Sequence, residues 1–227
     1  MLLTQSSVGR KLLMAGTGLI LLLFVVVHLL GNSSIYFGSD AINAYAKHLH
    51  DLGPFVWVFR LVMLVIFGIH IALGAQLTLE NRSARLQAYT TKENLRSTFS
   101  SRTMIVSGLV ILAFVIYHLL HFTFQTVTPF SAKANLTALH GAMVPDVYTM
   151  VVASFHQVFI ALVYVVGMLF LFFHLGHGVQ SFFQTMGWTN DQTFDGVGAF
   201  GKAVAIVLAL GYIAIPIIAL AFLQVRG

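Results

Sequence analysis

Long apolar stretches separated by short polar segments dominate the pattern of hydrophobic and polar positions along this chain. Uncharged runs extend over 12–30, 61–79, 103–124 and 203–225, and no charged residue lies between Asp146 and Asp191. A helix that spans the hydrocarbon core of a bilayer needs about 20 mostly apolar residues. The pattern therefore predicts an all-α membrane bundle in one domain, 1–227, whose five transmembrane helices lie near 12–31, 55–79, 103–125, 148–178 and 202–225.

Three local features refine this prediction. The fourth run, 148–178, is longer than a bilayer requires, so we expect that helix to tilt or to protrude. Pro216 should kink the fifth helix about one turn back, because proline removes a backbone hydrogen bond. The first loop, 32–54, predicts a short helix near 41–50 that begins at Ser39 or Asp40. The first apolar run exceeds the usual length of a signal-peptide core, so we expect it to remain in the mature protein.

The distribution of basic residues predicts the orientation of the bundle. With the N-terminus inside, eight lysines and arginines fall on the inner side and four on the outer side. The inner residues are Arg10, Lys11, Arg82, Arg85, Lys92, Arg96, Arg102 and Lys202, and the outer residues are Lys47, Arg60, Lys133 and Arg226. The positive-inside rule favours an N-in, C-out topology. The net charge of +5 is thus assigned to membrane orientation and not to nucleic-acid binding.

Ten histidines are many for a chain in which only 8% of the residues are charged, and five of them interrupt apolar runs. Those five are His28, His70, His118, His156 and His174. An ionisable residue inside a membrane indicates a functional site, because hydrocarbon offers it no partner. Haem iron is one partner for imidazole. The chain has no cysteine, which excludes disulfides, iron–sulfur ligation and c-type haem attachment, so any haem is of b type.

The depth of four histidines sorts them into two pairs. At about 1.5 Å per residue, His28 lies about 26 Å beyond Lys11, and His118 lies about 24 Å beyond Arg102. The second and fourth helices run from the outer to the inner side. On the second helix, His70 lies about 15 Å before Glu80, and on the fourth, His174 is near the inner end. We call His28 and His118 the outer pair, and His70 and His174 the inner pair. Two imidazoles from two helices are what bis-histidine haem ligation requires.

Other interpretations of these histidines remain open. A single helical histidine often bonds a neighbouring backbone or serine group. Zinc or copper could bind the i, i+3 pairs, but such sites usually also recruit carboxylates or thiols, and all seven carboxylates fall in loops or at helix ends. A mid-membrane carboxylate is typical of ion transporters, so the pattern favours electron transfer. For His156, we expect a hydrogen bond inside the bundle, with an outer ligand or a quinone contact as the alternative.

Further polar side chains are candidates for the haem propionates and for a quinone. Arg60 lies at a level suited to propionates of an outer haem, and Arg10, Lys11 and Arg102 suit an inner one, with snorkelling to lipid phosphates as the alternative. His121 and His177 are expected near the membrane surfaces, hydrogen-bonded or solvated, or else in contact with a propionate or a quinone. The quinone candidates are Ser7, Arg10, Arg102 and His177 inside and Asn32, His121 and Gln125 outside.

Each of four successive predicted helices carries its histidine within a short motif. These motifs are Val26-Val27-His28-Leu29, Gly68-Ile69-His70 with Gly74, Tyr117-His118-Leu119, and Phe172-Phe173-His174 followed by Gly178 and Ser181-Phe182. Together they resemble the five-helix, dihaem cytochrome b subunit (cytochrome b558 type) of succinate dehydrogenases and fumarate reductases, the membrane anchor of complex II. The resemblance covers nearly the whole chain.

This resemblance implies two haem b groups, one ligated by His70 and His174 near the cytoplasmic subunits and a distal one by His28 and His118. It also implies a flavoprotein subunit and an iron–sulfur subunit, electron transfer between succinate or fumarate and a quinone, commonly menaquinone, and a bacterial cytoplasmic membrane. Some fumarate reductases have a glutamate where this chain has Phe172, which favours succinate oxidation here. The alternatives are the cytochrome b of a hydrogenase or formate dehydrogenase, and a haem-free transporter.

Overall fold

The computed structural model describes residues 5–84 and 99–225. The basic residues Arg85, Lys92, Arg96 and Arg226, on which part of the predicted topology rests, lie outside the described residues. The elements, in chain order, are α1 (Ser7–Asn32), a 3-10 helix (Ser33–Phe37), α2 (Ser39–Asp51), α3 (Pro54–Ser83), α4 (Phe99–Arg102), α5 (Met104–His118), a π-helix (Leu119–Thr123), β1 (Leu136–Leu139), β2 (Ala142–Pro145), α6 (Val147–Phe155), α7 (Val158–Thr185) and α8 (Phe194–Phe222).

Within the described part of the chain, five helical segments are long and apolar enough to cross a membrane. They are α1 with its 3-10 extension, α3, α5 with its π-helix, α7 and α8. Many of their apolar side chains face outward: Phe55 is 78% exposed and Leu64 is 58% exposed. Large exposed apolar surfaces on such helices are typical of contact with lipid. The prediction of five apolar spanning helices is confirmed, and the chain has the character of a multi-pass membrane protein.

Four of these helices pack in a ring. Helix α1 contacts α3 and α7, and α5 also contacts both α3 and α7, so each helix has two neighbours within the ring. Helix α8 lies against the outside of this ring, mainly along α7. The interior of the ring receives one histidine from each of α1, α3, α5 and α7. Sites within helical bundles are built in this way, from side chains on facing helices.

The fourth predicted helix differs from the prediction because it is divided. Helix α6 ends at Phe155 and α7 begins at Val158, with Gln157 in an extended conformation between them. The Nε2 atom of His156 lies 2.9 Å from the carbonyl oxygen of Leu223, beyond the end of α8. His156 thus makes a hydrogen bond to the chain beyond α8, but its side chain is exposed and does not lie inside the bundle as we expected. Pro216 lies within α8, which continues from Phe194 to Phe222.

The connections at the His28 and His118 end of the ring pack into a small cap. The predicted short helix is confirmed as α2, whose buried Asn43 accepts a hydrogen bond from the backbone N–H of Tyr148 at 2.9 Å. Strands β1 and β2 form an antiparallel hairpin that we did not predict. Its two turn residues, His140 and Gly141, both have positive φ, as a tight hairpin turn of the I′ type requires.

Candidate cofactor site

The ring of helices brings the four predicted ligands together as two pairs. In the outer pair, the ring centroids of His28 and His118 are 5.9 Å apart, with an interplanar angle of 88°. In the inner pair, the centroids of His70 and His174 are 6.4 Å apart, with an angle of 65°. The proximity predicted from depth is therefore found in the structure. Their role as ligands stays a prediction.

These separations match the dimensions of a metal centre with two imidazole ligands. An imidazole nitrogen lies about 2 Å from a first-row transition metal, so two imidazoles on opposite sides of one metal ion have ring centres about 6 Å apart. Both pairs have this spacing. Each pair supplies two nitrogens, which is the number that iron takes from the protein in a bis-histidine haem. The side chains present thus fit the group that the sequence predicts.

In the inner pair, hydroxyl groups orient both imidazoles. The Nδ1 atom of His70 lies 3.1 Å from the hydroxyl oxygen of Thr17, and Nδ1 of His174 lies 3.2 Å from that of Ser107. Each hydroxyl donates its own proton to a backbone carbonyl of its own helix, at 2.9 Å for Thr17 and 3.0 Å for Ser107. With its proton on that carbonyl, each hydroxyl oxygen accepts from an Nδ1–H. Both imidazoles then keep the Nε2 lone pair available for a metal.

Gly18 lets an inner histidine approach the neighbouring helix closely. A Cβ atom added to Gly18 would lie 3.2 Å from Cε1 of His70, whereas one added to Gly108 would make an ordinary contact of 3.6 Å with Cε1 of His174. The glycines one turn after the two ligands differ. A Cβ atom added to Gly74 would lie 3.4 Å from the terminal methyl carbon of Met14, whereas one added to Gly178 would meet open space.

Thr17 and Ser107 were not among the predicted site residues, although an internal repeat marks them. The segments TGLILLLFVVVHLL, 17–30, and SGLVILAFVIYHLL, 107–120, share the order hydroxyl, glycine, phenylalanine and histidine. In each segment, the outer histidine follows the hydroxyl residue by eleven positions. Each helix thus carries a ligand of the outer pair and the hydroxyl support for a ligand of the inner pair.

Aromatic rings surround the outer pair. Phe24 stacks on His28 with centroids 5.3 Å apart, and Phe114 stacks on His118 at 6.0 Å. The amide nitrogen of Asn32 donates to the backbone carbonyl of His28 at 2.7 Å and lies 3.4 Å from its Nε2 atom. Asn32, which we predicted as a quinone contact, is therefore a direct neighbour of the outer pair.

The predicted basic partners occupy different environments. Arg10 forms an ion pair with Glu80 of α3 at 2.9 Å, so its charge faces a carboxylate of the protein. The guanidinium of Arg60 lies over the ring of Trp57, 4.9 Å from the centroid, on an exposed face of α3. Arg102 is exposed at the end of α4, and Lys11 is exposed in α1. Snorkelling remains a valid interpretation for the exposed side chains.

Two other predicted contacts are engaged inside the protein. His121 is fully buried, and its ring nitrogens lie 2.9 Å from the hydroxyl of Tyr164 and 3.1 Å from that of Ser154. No nitrogen of His121 is left for a propionate or a quinone in this arrangement. The side-chain carbonyl of Gln125 accepts from Ser131 at 2.7 Å within the loop that follows α5.

The remaining candidates lie near the inner pair or at the start of the first helix. His177 is half-buried on α7, one turn from His174, and Ser7 is exposed at the start of α1.

No protein family, curated protein or solved structure matches the chain.

Proposed function

We propose that this chain is the dihaem membrane anchor of a succinate:quinone oxidoreductase and carries electrons between an iron–sulfur subunit and a membrane quinone. One observation carries the electron-transfer part of the proposal. Four helices bring four half-buried imidazoles together as two pairs with the spacing of a bis-histidine metal centre. Eleven residues of α1 separate Thr17, beside the inner pair, from His28, so the two levels lie about 16 Å apart along the bundle.

In this proposal, His70 and His174 hold one haem b, and His28 and His118 hold the other. Bound haem iron supplies reversible one-electron chemistry between its ferric and ferrous states. The protein provides two neutral imidazoles at each level, fixes their orientation through Thr17 and Ser107, and surrounds them with apolar helices that exclude water. Hydrogen bonding and burial around the ligands set the redox potential.

The succinate part of the proposal rests on the resemblance of the four histidine motifs to the complex II anchors. In that class, the chain binds no dicarboxylate. It docks a flavoprotein and an iron–sulfur subunit and passes electrons to a quinone, which we propose to be menaquinone, in a bacterial cytoplasmic membrane. The basic residues Arg82, near the end of α3, and Arg102, at the end of α4, are part of the docking surface expected for an N-in chain.

Purification of the intact complex from its native membrane tests this assignment. We expect a flavoprotein and an iron–sulfur subunit to co-purify, and we expect succinate to reduce the haem spectrum and an added quinone. A co-purifying nickel or molybdenum protein, with no response to succinate, would assign the chain to a hydrogenase or formate dehydrogenase and would contradict the succinate part.

Removal of the hydroxyl supports is expected to weaken the inner haem. Thr17→Val keeps the shape of the side chain but removes the hydroxyl acceptor beside Nδ1 of His70, and Ser107→Ala does the same for His174. Loss of such an orienting partner typically lowers metal affinity about 10- to 100-fold. The haem content retained during dilution in detergent measures this effect. Thr78→Val is the matched control, because the Thr78 hydroxyl donates to the carbonyl of Gly74 and contacts no imidazole among the described residues. Equal haem retention in Thr17→Val, Ser107→Ala and Thr78→Val would show that Thr17 and Ser107 do not support the inner haem.

A further inference from the structure

A chain of buried polar groups runs from the outer pair into α6. The hydroxyl of Tyr164 lies 3.3 Å from Nδ1 of His118 and 2.9 Å from Nδ1 of His121. The Nε2 atom of His121 lies 3.1 Å from the hydroxyl of Ser154, which donates to the carbonyl of Met150 at 2.7 Å. His121 and Ser154 are fully buried, and Tyr164 is 7% exposed. The proposed function gives no role to these three side chains.

The direction of each hydrogen bond in this chain can be worked out from its far end. A carbonyl oxygen only accepts, and the hydroxyl oxygen of Ser154 lies closer to the carbonyl of Met150, at 2.7 Å, than to Nε2 of His121, at 3.1 Å. We therefore assign the single hydroxyl proton of Ser154 to Met150. The hydroxyl of Thr128 lies 3.3 Å from that of Ser154 and donates to the carbonyl of Phe130 at 2.9 Å. With this assignment Ser154 accepts from His121, and the proton of that imidazole is on Nε2.

The same reasoning extends to the outer pair. With its proton on Nε2, His121 presents an unprotonated Nδ1, so the hydroxyl of Tyr164 donates to it. That hydroxyl has one proton, and its oxygen can therefore only accept from His118. His118 is thus held as the Nδ1–H tautomer, and its Nε2 lone pair is left for a metal. The carbonyl of Met150 is therefore connected to the protonation of His118 through four successive hydrogen bonds.

We propose that Tyr164 and His121 are positioning residues that hold the tautomer and orientation of His118 as a ligand of the outer haem. The proposal rests on the proposed function, because it assumes that His118 ligates iron. It replaces the predicted role of His121 as a propionate or quinone contact. The π-helix contributes to this arrangement, because its widened turn begins directly after His118 and contains His121, and both rings reach the same hydroxyl.

The hydrogen-bonded series Ser154, His121, Tyr164 and His118, which we call the relay, makes the inner and outer levels of the bundle different. The inner imidazoles donate to aliphatic hydroxyls whose protons are fixed on backbone carbonyls of the same helix. His118 instead donates to a phenol whose proton is fixed by a second imidazole. His28 has no hydroxyl partner among its described contacts, and its nearest polar side chain is Asn32. Tyr164 therefore acts on one ligand of the outer pair, and its removal should affect that level alone.

Redox titration of the purified holo-complex tests the relay. An accepted Nδ1–H bond makes an imidazole more basic and favours ferric iron. Tyr164→Phe should therefore raise the midpoint potential of the outer haem by up to about 59 mV. For a one-electron couple, this shift is about a tenfold change in the ratio of reduced to oxidised haem. The inner haem should keep its potential. The low-spin ferric resonance of the outer haem should shift in the same variant.

Tyr212→Phe is the matched control for this variant. The ring of Tyr212 lies 6.2 Å from that of His28, but its hydroxyl donates to the carbonyl of Val25 at 2.6 Å and not to an imidazole. We expect both potentials to stay unchanged in Tyr212→Phe. Two haems per chain with unchanged potentials and resonances in Tyr164→Phe would overturn the relay and leave the proposed function standing. A wild-type protein without haem would overturn both.

A second pair of variants tests His121 if Tyr164→Phe does not fold. His121→Asn keeps an acceptor for the proton of Tyr164, whereas His121→Leu leaves that proton free to turn toward other partners. The relay predicts that the asparagine variant keeps the wild-type potential of the outer haem and that the leucine variant raises it. Equal potentials in the two variants would overturn the role of His121.

Discussion

Replacing His174 by alanine is expected to remove one haem per chain and to leave the other in place. His174 supplies one of two imidazoles at the inner level, where its ring centroid lies 6.4 Å from that of His70. A low-spin haem with one protein ligand is less stable and less tightly held than one with two, so the inner haem should be lost on purification. His70→Ala should give the same result, because the two ligands serve one iron.

The matched control for the inner pair is His177→Gln. His177 lies one turn after His174 on α7 and is half-buried, so it resembles the ligand in sequence and position. We expect this variant to retain both haems. The measurement is the haem content per chain, together with a redox titration that resolves the two components. Loss of both haems in a folded His174→Ala protein, or loss of neither, would contradict the assignment of the inner pair.

Replacing His28 or His118 by alanine is expected to remove the outer haem and to preserve the inner one. These residues lie on α1 and α5, and their centroids are 5.9 Å apart. The component that survives in these variants should be the one that disappears in His174→Ala. This complementary loss is the strongest consequence of the pairing, because any other grouping of the four histidines predicts a different pattern of surviving haems.

His156→Gln separates the outer pair from its main competitor. The sequence admits His156 as a substitute outer ligand, but its Nε2 atom lies 2.9 Å from the carbonyl oxygen of Leu223. Glutamine can also donate to that carbonyl, so we expect the variant to fold and to keep both haems. If His156→Gln lost the outer haem and His118→Ala retained it, the outer ligand would be His156 and not His118.

Hydrophobic patterning predicts the five spanning helices well, because lipid requires long runs of apolar side chains and few charges. It fails at the break between α6 and α7. No proline or charged residue marks Gln157 there, and the contact of His156 with Leu223 depends on a residue distant in the sequence. The hairpin of β1 and β2 was missed for a different reason. Its signal is the turn at His140 and Gly141, which is short and lies in a loop.

The sequence predicts the pairing of the histidines in the candidate site but not their hydrogen-bond partners. Depth along straight helices groups His28 with His118 and His70 with His174, because helix rise is nearly constant. The partners of these imidazoles lie on other helices, so the packing angle and the rotation of each helix decide which side chains meet. The repeat shared by 17–30 and 107–120 would have indicated Thr17 and Ser107. No sequence signal of comparable strength marks Tyr164, whose partners His118 and His121 come from α5 and from the π-helix.

The central claim is that each histidine pair holds one b-type haem. The most direct measurement is a pyridine haemochrome spectrum of the purified wild-type protein, with the haem counted against the protein by amino-acid analysis. The account predicts a b-type spectrum and two haems per chain. A preparation that contains no haem, after expression with sufficient haem supply, would contradict it, and a stoichiometry of one would contradict the assignment of two ligating pairs.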